Sequence, residues 1–149
     1  MIRIIKINKE NCNLFDSEIN KDDAIIKFFL PQCGHCIEME NDWNTMVNKL
    51  KKHKCKKNVN VFEVNGESFD NINSNIVRNI RGFPTIIKTT NGSYDPLIDT
   101  YHGNRSHSDM LKWSLSKLRN SLQKSKTKKR KSPKRRVTVK KKKKRRKSK

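Results

Sequence analysis

Two cysteines two residues apart, in Cys33-Gly34-His35-Cys36, carry the clearest chemistry in this chain. Paired thiols exchange disulfides: one thiolate attacks a disulfide sulfur to give a mixed disulfide, and a second thiol displaces the substrate from it. The apolar pattern puts this pair where a strand gives way to a helix. The unpaired amides and the dipole at a helix N-terminus favour the thiolate, and His35 adds positive charge when protonated. Cys33 is therefore expected to be the reactive thiol. Cys36, one turn into the helix and more buried, is placed to attack the mixed disulfide. The same spacing, taken with His53 and Cys55, formally supplies a Cys3His metal set. A helix continuing from Cys36 to His53 would separate them by roughly 25 Å at about 1.5 Å per residue. Neither a metal nor any other cofactor is expected, and Cys12 and Cys55 read as incidental thiols.

The elements that must hold this pair follow from hydrophobic period. Residues 2–8 are β-branched and alternate, as in a first strand, and the polar stretch 11–20 suits a short helix or link. Residues 24–30, Ala-Ile-Ile-Lys-Phe-Phe-Leu, are nearly continuous in apolar side chains, as in a strand covered on both faces, with Lys27 the exception and Pro31 the stop. Cys36, Met39, Trp43, Met46, Val47 and Leu50 then recur at three and four residues, giving a helix with one buried face. The basic run 51–57 closes it, where positive charge suits the C-terminal end of the dipole. Residues 59–64 read as a third strand, and 68–79, with Ile72, Ile76 and Ile80 spaced by four, as a second long helix. Residues 83–90 form another strand, Asn91-Gly92 marks a turn, and 97–101 are expected to pair back across it. A last helix starts near Ser106, where Ser106-x-x-Asp109 resembles a capping box, with its apolar stripe on Leu111, Leu115, Leu118 and Leu122. Interleaved strands and helices of this kind imply an α/β fold with a central mixed sheet and helices on both faces. Trp43 and Trp113 are expected as core or half-buried packing residues, and His53, His102 and His107 as solvated.

Composition divides the chain. Of 149 residues, 36 are Lys or Arg and 14 Asp or Glu, for a net charge of +22. Eighteen of the basic residues lie between Lys124 and Lys149, which leaves 18 basic against 14 acidic, a net of +4, in the rest. A single domain over residues 1–122 is expected, followed by a Lys/Arg-rich tail over 123–149. The tail's apolar side chains are Val137 and Val139, too few to offset the entropy of ordering it, so it is expected to be disordered when free. No run of 18 apolar residues predicts a transmembrane segment. Residues 1–10 lack the apolar core of a signal peptide, so the secretory route is not expected. Four cysteines in such a setting point to catalytic, metal-binding or incidental thiols and away from a disulfide framework.

Three separated motifs, Phe28-Phe-Leu-Pro-Gln-Cys-Gly-His-Cys36, Arg81-Gly-Phe-Pro-Thr85 and Tyr101-His-Gly-Asn-Arg105, resemble the thioredoxin family over about residues 2–120, and Cys-Gly-His-Cys points to its protein disulfide isomerase branch. The resemblance implies a thioredoxin fold and a protein thiol-disulfide oxidoreductase acting on protein dithiols or disulfides. It implies that Pro84 is a cis-proline facing the cysteines, that Phe83 offers main-chain hydrogen bonds to an extended substrate, and that Arg105 swings toward the site and favours the second thiolate. Three positions depart from the family pattern. Gln32 replaces the tryptophan before the first cysteine, removing an aromatic contact from the substrate surface. Asn41 replaces the proline that kinks the active-site helix, which allows a straighter one. Lys27 replaces the buried carboxylate that relays a proton to the second cysteine. Two readings of Lys27 stand open: its charge favours the Cys36 thiolate and makes the site more oxidising, or it points to a watery edge without effect.

The tail cations assigned to polyanion binding are Lys128, Lys129, Arg130, Lys131, Lys134, Arg135 and Arg136, then Lys140, Lys141, Lys142, Lys143, Lys144, Arg145, Arg146 and Lys147. With no aromatic residue among them they can neutralise phosphates but not read a base sequence. Nucleic acid, an import receptor, anionic lipid and an acidic protein are all available partners. The expected protein is a monomeric oxidoreductase localised on a polyanion. The alternative is a structural or nucleic-acid-binding protein, with the folded domain as carrier. Cytoplasm, nucleus or the virion of a large DNA virus are the expected locations, since heavy use of Lys, Asn and Ile suits an AT-rich genome.

Overall fold

The β-branched and aromatic runs fold as strands. In the computed structural model, which describes residues 1–123, β1 (Ile2–Ile7), β2 (Asp23–Phe29), β3 (Val59–Asn65) and β4 (Thr85–Thr89) make one sheet in the order β1-β3-β2-β4. β1 and β2 run parallel to β3, and β4 runs antiparallel to β2. The helices are α1 (Cys12–Glu18), α2 (Gly34–Leu50) and α3 (His107–Lys117). The expected tail, with every cation assigned to polyanion binding, lies outside the described residues apart from Gln123.

Side-chain alternation along the strands gives the sheet two buried faces. On one, Ile26 and Phe28 of β2, Phe62 and Val64 of β3 and Ile87 of β4 pack with Phe15 of α1. On the other, Ile25, Val59, Val61 and Ile86 pack beneath Met39, Trp43, Met46, Val47 and Leu50 of α2 and Met110 and Leu118 of α3. The buried positions of α2 are those its period predicts, and the helix runs unbroken through Asn41.

Three local expectations are corrected. Residues 68–79 do not form one helix but two 3₁₀ segments, Gly66–Asn71 and Asn75–Asn79. Side chains compete for the main chain here: Asn65 accepts from the Glu67 amide, Ser74 caps Ile76, and the Asp16 carboxylate takes the amides of Asn73 and Ser74 at the break between the segments. Residues 97–101 pair back only at their end. Lys88 and Tyr101 amides bond across to Asp99 and Ile86 carbonyls, but Asp95 holds the Leu97 and Asp99 amides in a turn and leaves Leu97 and Ile98 exposed. The Asn91-Gly92 turn is present, both residues having positive φ. In α3 half of the capping box forms: Ser106 accepts from the Asp109 amide, while the Asp109 carboxylate takes the Ser106 hydroxyl in place of its amide. The buried stripe, however, is Met110, Ser114, Leu118 and Leu122, with Leu111 and Leu115 only half-buried. Small Ser114 faces α2 and lies 3.9 Å from the Met46 sulfur.

Candidate active site

β2 ends at Phe29, the chain turns through Leu30-Pro31-Gln32, and Cys33 becomes the N-cap of α2 in extended conformation. This places the Cys33 sulfur over the free amides of the first turn. The Cys36 amide donates to it at 3.3 Å, and the thiol of Cys33 faces the Phe83 carbonyl at 3.6 Å. Both cysteines are free thiols, Cys33 half-buried and Cys36 buried.

Their environments drive the two thiols apart. Cys33 is held below the ordinary thiol value, chiefly by the Cys36 side chain donating to it, then by the Cys36 and His35 amides and the Arg105 charge, against some desolvation. Cys36 is pushed up to about 11, first by burial and then by its hydrogen bond to Cys33, with the Lys27 charge acting weakly in the opposite direction. One site thus holds a ready nucleophile and a reserve thiol.

The surrounding residues come together largely as the sequence implies, with differences in how they act. Pro84 follows a cis Phe83-Pro84 bond and is half-buried, and the carbonyl of Phe83 just before it is the one that meets the Cys33 thiol. The Phe83 ring lies where a Cβ on Gly66 would stand, at 2.5 Å, so the glycine at that position lets the loop close over the sheet. Gln32 and Gly34 are exposed, with open space around Gly34. His35 helps Cys33 through its main-chain N–H, while its ring lies 3.2 Å from the Glu38 carboxylate. Arg105 is exposed on the loop before α3, and its charge favours the Cys33 thiolate. His107 is not simply solvated: its amide and its ring nitrogen both meet the Asp42 carboxylate at 2.9 Å, tying α3 to α2. Among the described residues no cluster of metal-ligating side chains forms.

Lys27 lies inside the fold. It does not reach a watery edge but is 2% exposed, its ammonium paired with Glu40 at 2.9 Å and seated over the Phe29 and Trp43 rings at 5.1 and 5.0 Å. Beside it in register on β3 stands Glu63, buried, accepting from the Trp43 indole at 2.8 Å and facing Lys6 at 3.7 Å. Lys27, Glu40, Glu63 and Cys36 line one cavity of about 450 Å³. Reading the sequence missed both glutamates. Two signals were present: Glu63 breaks the apolar alternation of Val59 and Val61, and Glu40 lies four residues beyond Cys36 on the same helix face.

A thioredoxin family profile matches residues 3–116. The chain belongs to the thioredoxin family. Among curated relatives, the protein disulfide-isomerase A6 homolog of Caenorhabditis elegans is 30% identical over 116 residues, covering 75% of this chain and 24% of its own length. Protein disulfide-isomerase like 2-2 of Arabidopsis thaliana is 30% identical over 114 residues, covering 76% and 23%. The chain therefore spans about a quarter of the length of these relatives. The solution structure of the first thioredoxin domain of mouse protein disulfide-isomerase A4 shares the fold with a TM-score of 0.54 at 21% identity, over 90% of this chain and 82% of that one. Human ERp44 superposes with a TM-score of 0.60 at 18% identity, over 76% and 29%.

Proposed function

We propose that the protein is a thiol-disulfide oxidoreductase acting on protein dithiols and disulfides. The observation that carries this reading is the divergence of the two thiols, Cys33 held low and Cys36 pushed up to about 11 within one hydrogen-bonded pair. In the reducing direction the Cys33 thiolate attacks a substrate disulfide, forming a Cys33–substrate bond and expelling one substrate thiolate, which takes a proton. Cys36 loses its proton and attacks Cys33, forming the Cys33–Cys36 disulfide and expelling the second substrate thiolate. Run backwards, the same steps oxidise a substrate dithiol. The substrate segment lies extended beside Pro84, where the Phe83 main chain supplies hydrogen bonds and exposed Gln32 forms part of the contact surface.

The basic segment is read as a tether to nucleic acid or another polyanion, in cytoplasm, nucleus or a viral particle. Its support is the 18 Lys and Arg residues between Lys124 and Lys149. A second reading rests on the same charge run: a nucleic-acid-binding protein that uses the folded domain as carrier. Reduction of insulin and rearrangement of a scrambled substrate by the full chain decide between them. Cys33→Ser is expected to abolish both reactions and leave salt-sensitive retention on DNA intact; removal of residues 124–149 is expected to do the reverse. Wild-type chain without turnover in either assay would discard the enzyme. Cell fractionation, with purified particles where the source is viral, checks the location.

A further inference from the structure

The mechanism above leaves a proton unassigned. Cys36 must lose one before it can attack, it is buried, and the position on β2 where the family resemblance implied a carboxylate holds Lys27. That ammonium cannot receive the proton while it pairs with Glu40 and sits over two aromatic faces, since each of these contacts depends on its charge. Four charged side chains line the cavity that reaches Cys36: Lys6 from β1, Lys27 from β2, Glu40 from α2 and Glu63 from β3. Both Glu63 oxygens are engaged, one by the Trp43 indole at 2.8 Å and the other facing Lys6 at 3.7 Å, and the residue is 6% exposed. Glu40 differs in each respect. It stands one helical turn beyond Cys36 on the same face, its side chain is 48% exposed, and Lys27 engages one oxygen while the other has only a long 3.4 Å contact from Asn44.

We infer that Glu40 is the carboxylate that takes the proton of the Cys36 thiol when the mixed disulfide is resolved, with Lys27 acting as a positioning residue that holds Glu40 over the cavity. The inference rests on the oxidoreductase reading. The Cys36 S–H proton passes to the Glu40 oxygen that Lys27 leaves unengaged, directly or through water among the charged groups of the cavity. The Cys36 thiolate then forms the bond to Cys33 sulfur as the Cys33–substrate bond breaks. The departing substrate thiolate is protonated from solvent, and Glu40, half outside, returns its proton to solvent. No external oxidant or reductant is needed beyond the substrate disulfide.

Reaction of the reduced full chain, with Cys12 and Cys55 replaced by Ser so that their free thiols do not report, with a chromogenic aromatic disulfide separates the steps. A first thiol is released when Cys33 attacks and a second when Cys36 closes the ring. In Glu40→Gln the second phase at neutral pH is expected to slow roughly 100-fold, the scale of general-base assistance. Glu40→Asp should recover most of the rate, and added formate, small enough for the cavity, should restore Glu40→Gln in proportion to its concentration. The first phase needs only Cys33 and should keep its wild-type rate, and an unchanged circular dichroism spectrum reports that each variant is folded. Loss of a negative charge beside Lys27 should by itself favour the Cys36 thiolate, so a purely electrostatic Glu40 predicts a second phase in Glu40→Gln as fast as wild type or faster. That result, or a slow Glu40→Gln that formate cannot rescue, overturns the assignment. Absence of the first phase in the wild-type chain would instead remove the oxidoreductase reading on which it rests.

Discussion

On the α1 side of the sheet, Phe15 meets Phe28 and Phe62 edge to face, at 6.5 and 5.1 Å between ring centres, in a cluster of apolar side chains. On the α2 side, the neighbouring positions of the same two strands hold Lys27 and Glu63. One face is built to exclude water, and the other buries two opposite charges beneath the resolving cysteine. Each pairs with an exposed partner, Lys27 with Glu40 and Glu63 with Lys6, and the desolvation of a buried charge can exceed what such pairing returns. Stability therefore gives no reason to keep these charges, whereas their place in the cavity of Cys36 does. The first face holds the sheet together so that the second can carry groups that pack poorly.

The largest effect expected from this division is on the α1 side. Phe62→Ala removes a fully buried ring and should cost about 3–5 kcal/mol, seen as a lower urea midpoint, while the rates at which Cys33 and Cys36 are alkylated across pH stay as in wild type. Lys27→Met should show the opposite pattern. Its stability change should be smaller than that of Phe62→Ala, because the side chain it replaces brings its own desolvation cost and its partner Glu40 can return to water. The Cys36 titration should move above its already raised value of about 11, since the Lys27 charge is one of the causes that lowers it. If Phe62→Ala moved the thiols as far as Lys27→Met, the two faces would not be separable.

How much of this could be read from the sequence follows the kind of interaction involved. The strands, α2 and the Cys33/Cys36 site were legible because period 2, period 3.6 and a two-residue cysteine spacing are local signals. The segment after β3 was misread for an equally local reason. Ile72, Ile76 and Ile80 keep helical spacing, but Asn65, Ser74 and the distant Asp16 carboxylate draw the amides away, and the last of these cannot be seen without the fold. The buried face of α3 turned on whether Ser114 or Leu115 meets Met46, a contact 68 residues away in sequence. Lys27 was legible as an exception but not as half of an arrangement. Its partners come from α2 and from an adjacent strand of a parallel pair, joined only by register.

The smallest effect tests whether charge also holds the α2 side together at its rim. The Asp42 carboxylate receives the amide and ring of His107 and is held below the ordinary carboxylate value, chiefly by that amide bond and then by the ring. A carboxyl group whose value is lower in the folded chain binds its proton less readily there than when unfolded. Its stabilisation is therefore complete above the ordinary value of 3.8 and is lost as pH falls through the lowered one. Asp42→Asn should lower the urea midpoint near neutral pH by less than Phe62→Ala does. Protonated Asp42 is neutral, as Asn is, so the two midpoints should converge in acid, and comparing them cancels every other carboxylate in the protein. A difference that persists undiminished below that range would mean that α3 is held to α2 by the packing of Met46 and Ser114 and not by the charge of Asp42. In that case the α2 side would use its charges for chemistry alone.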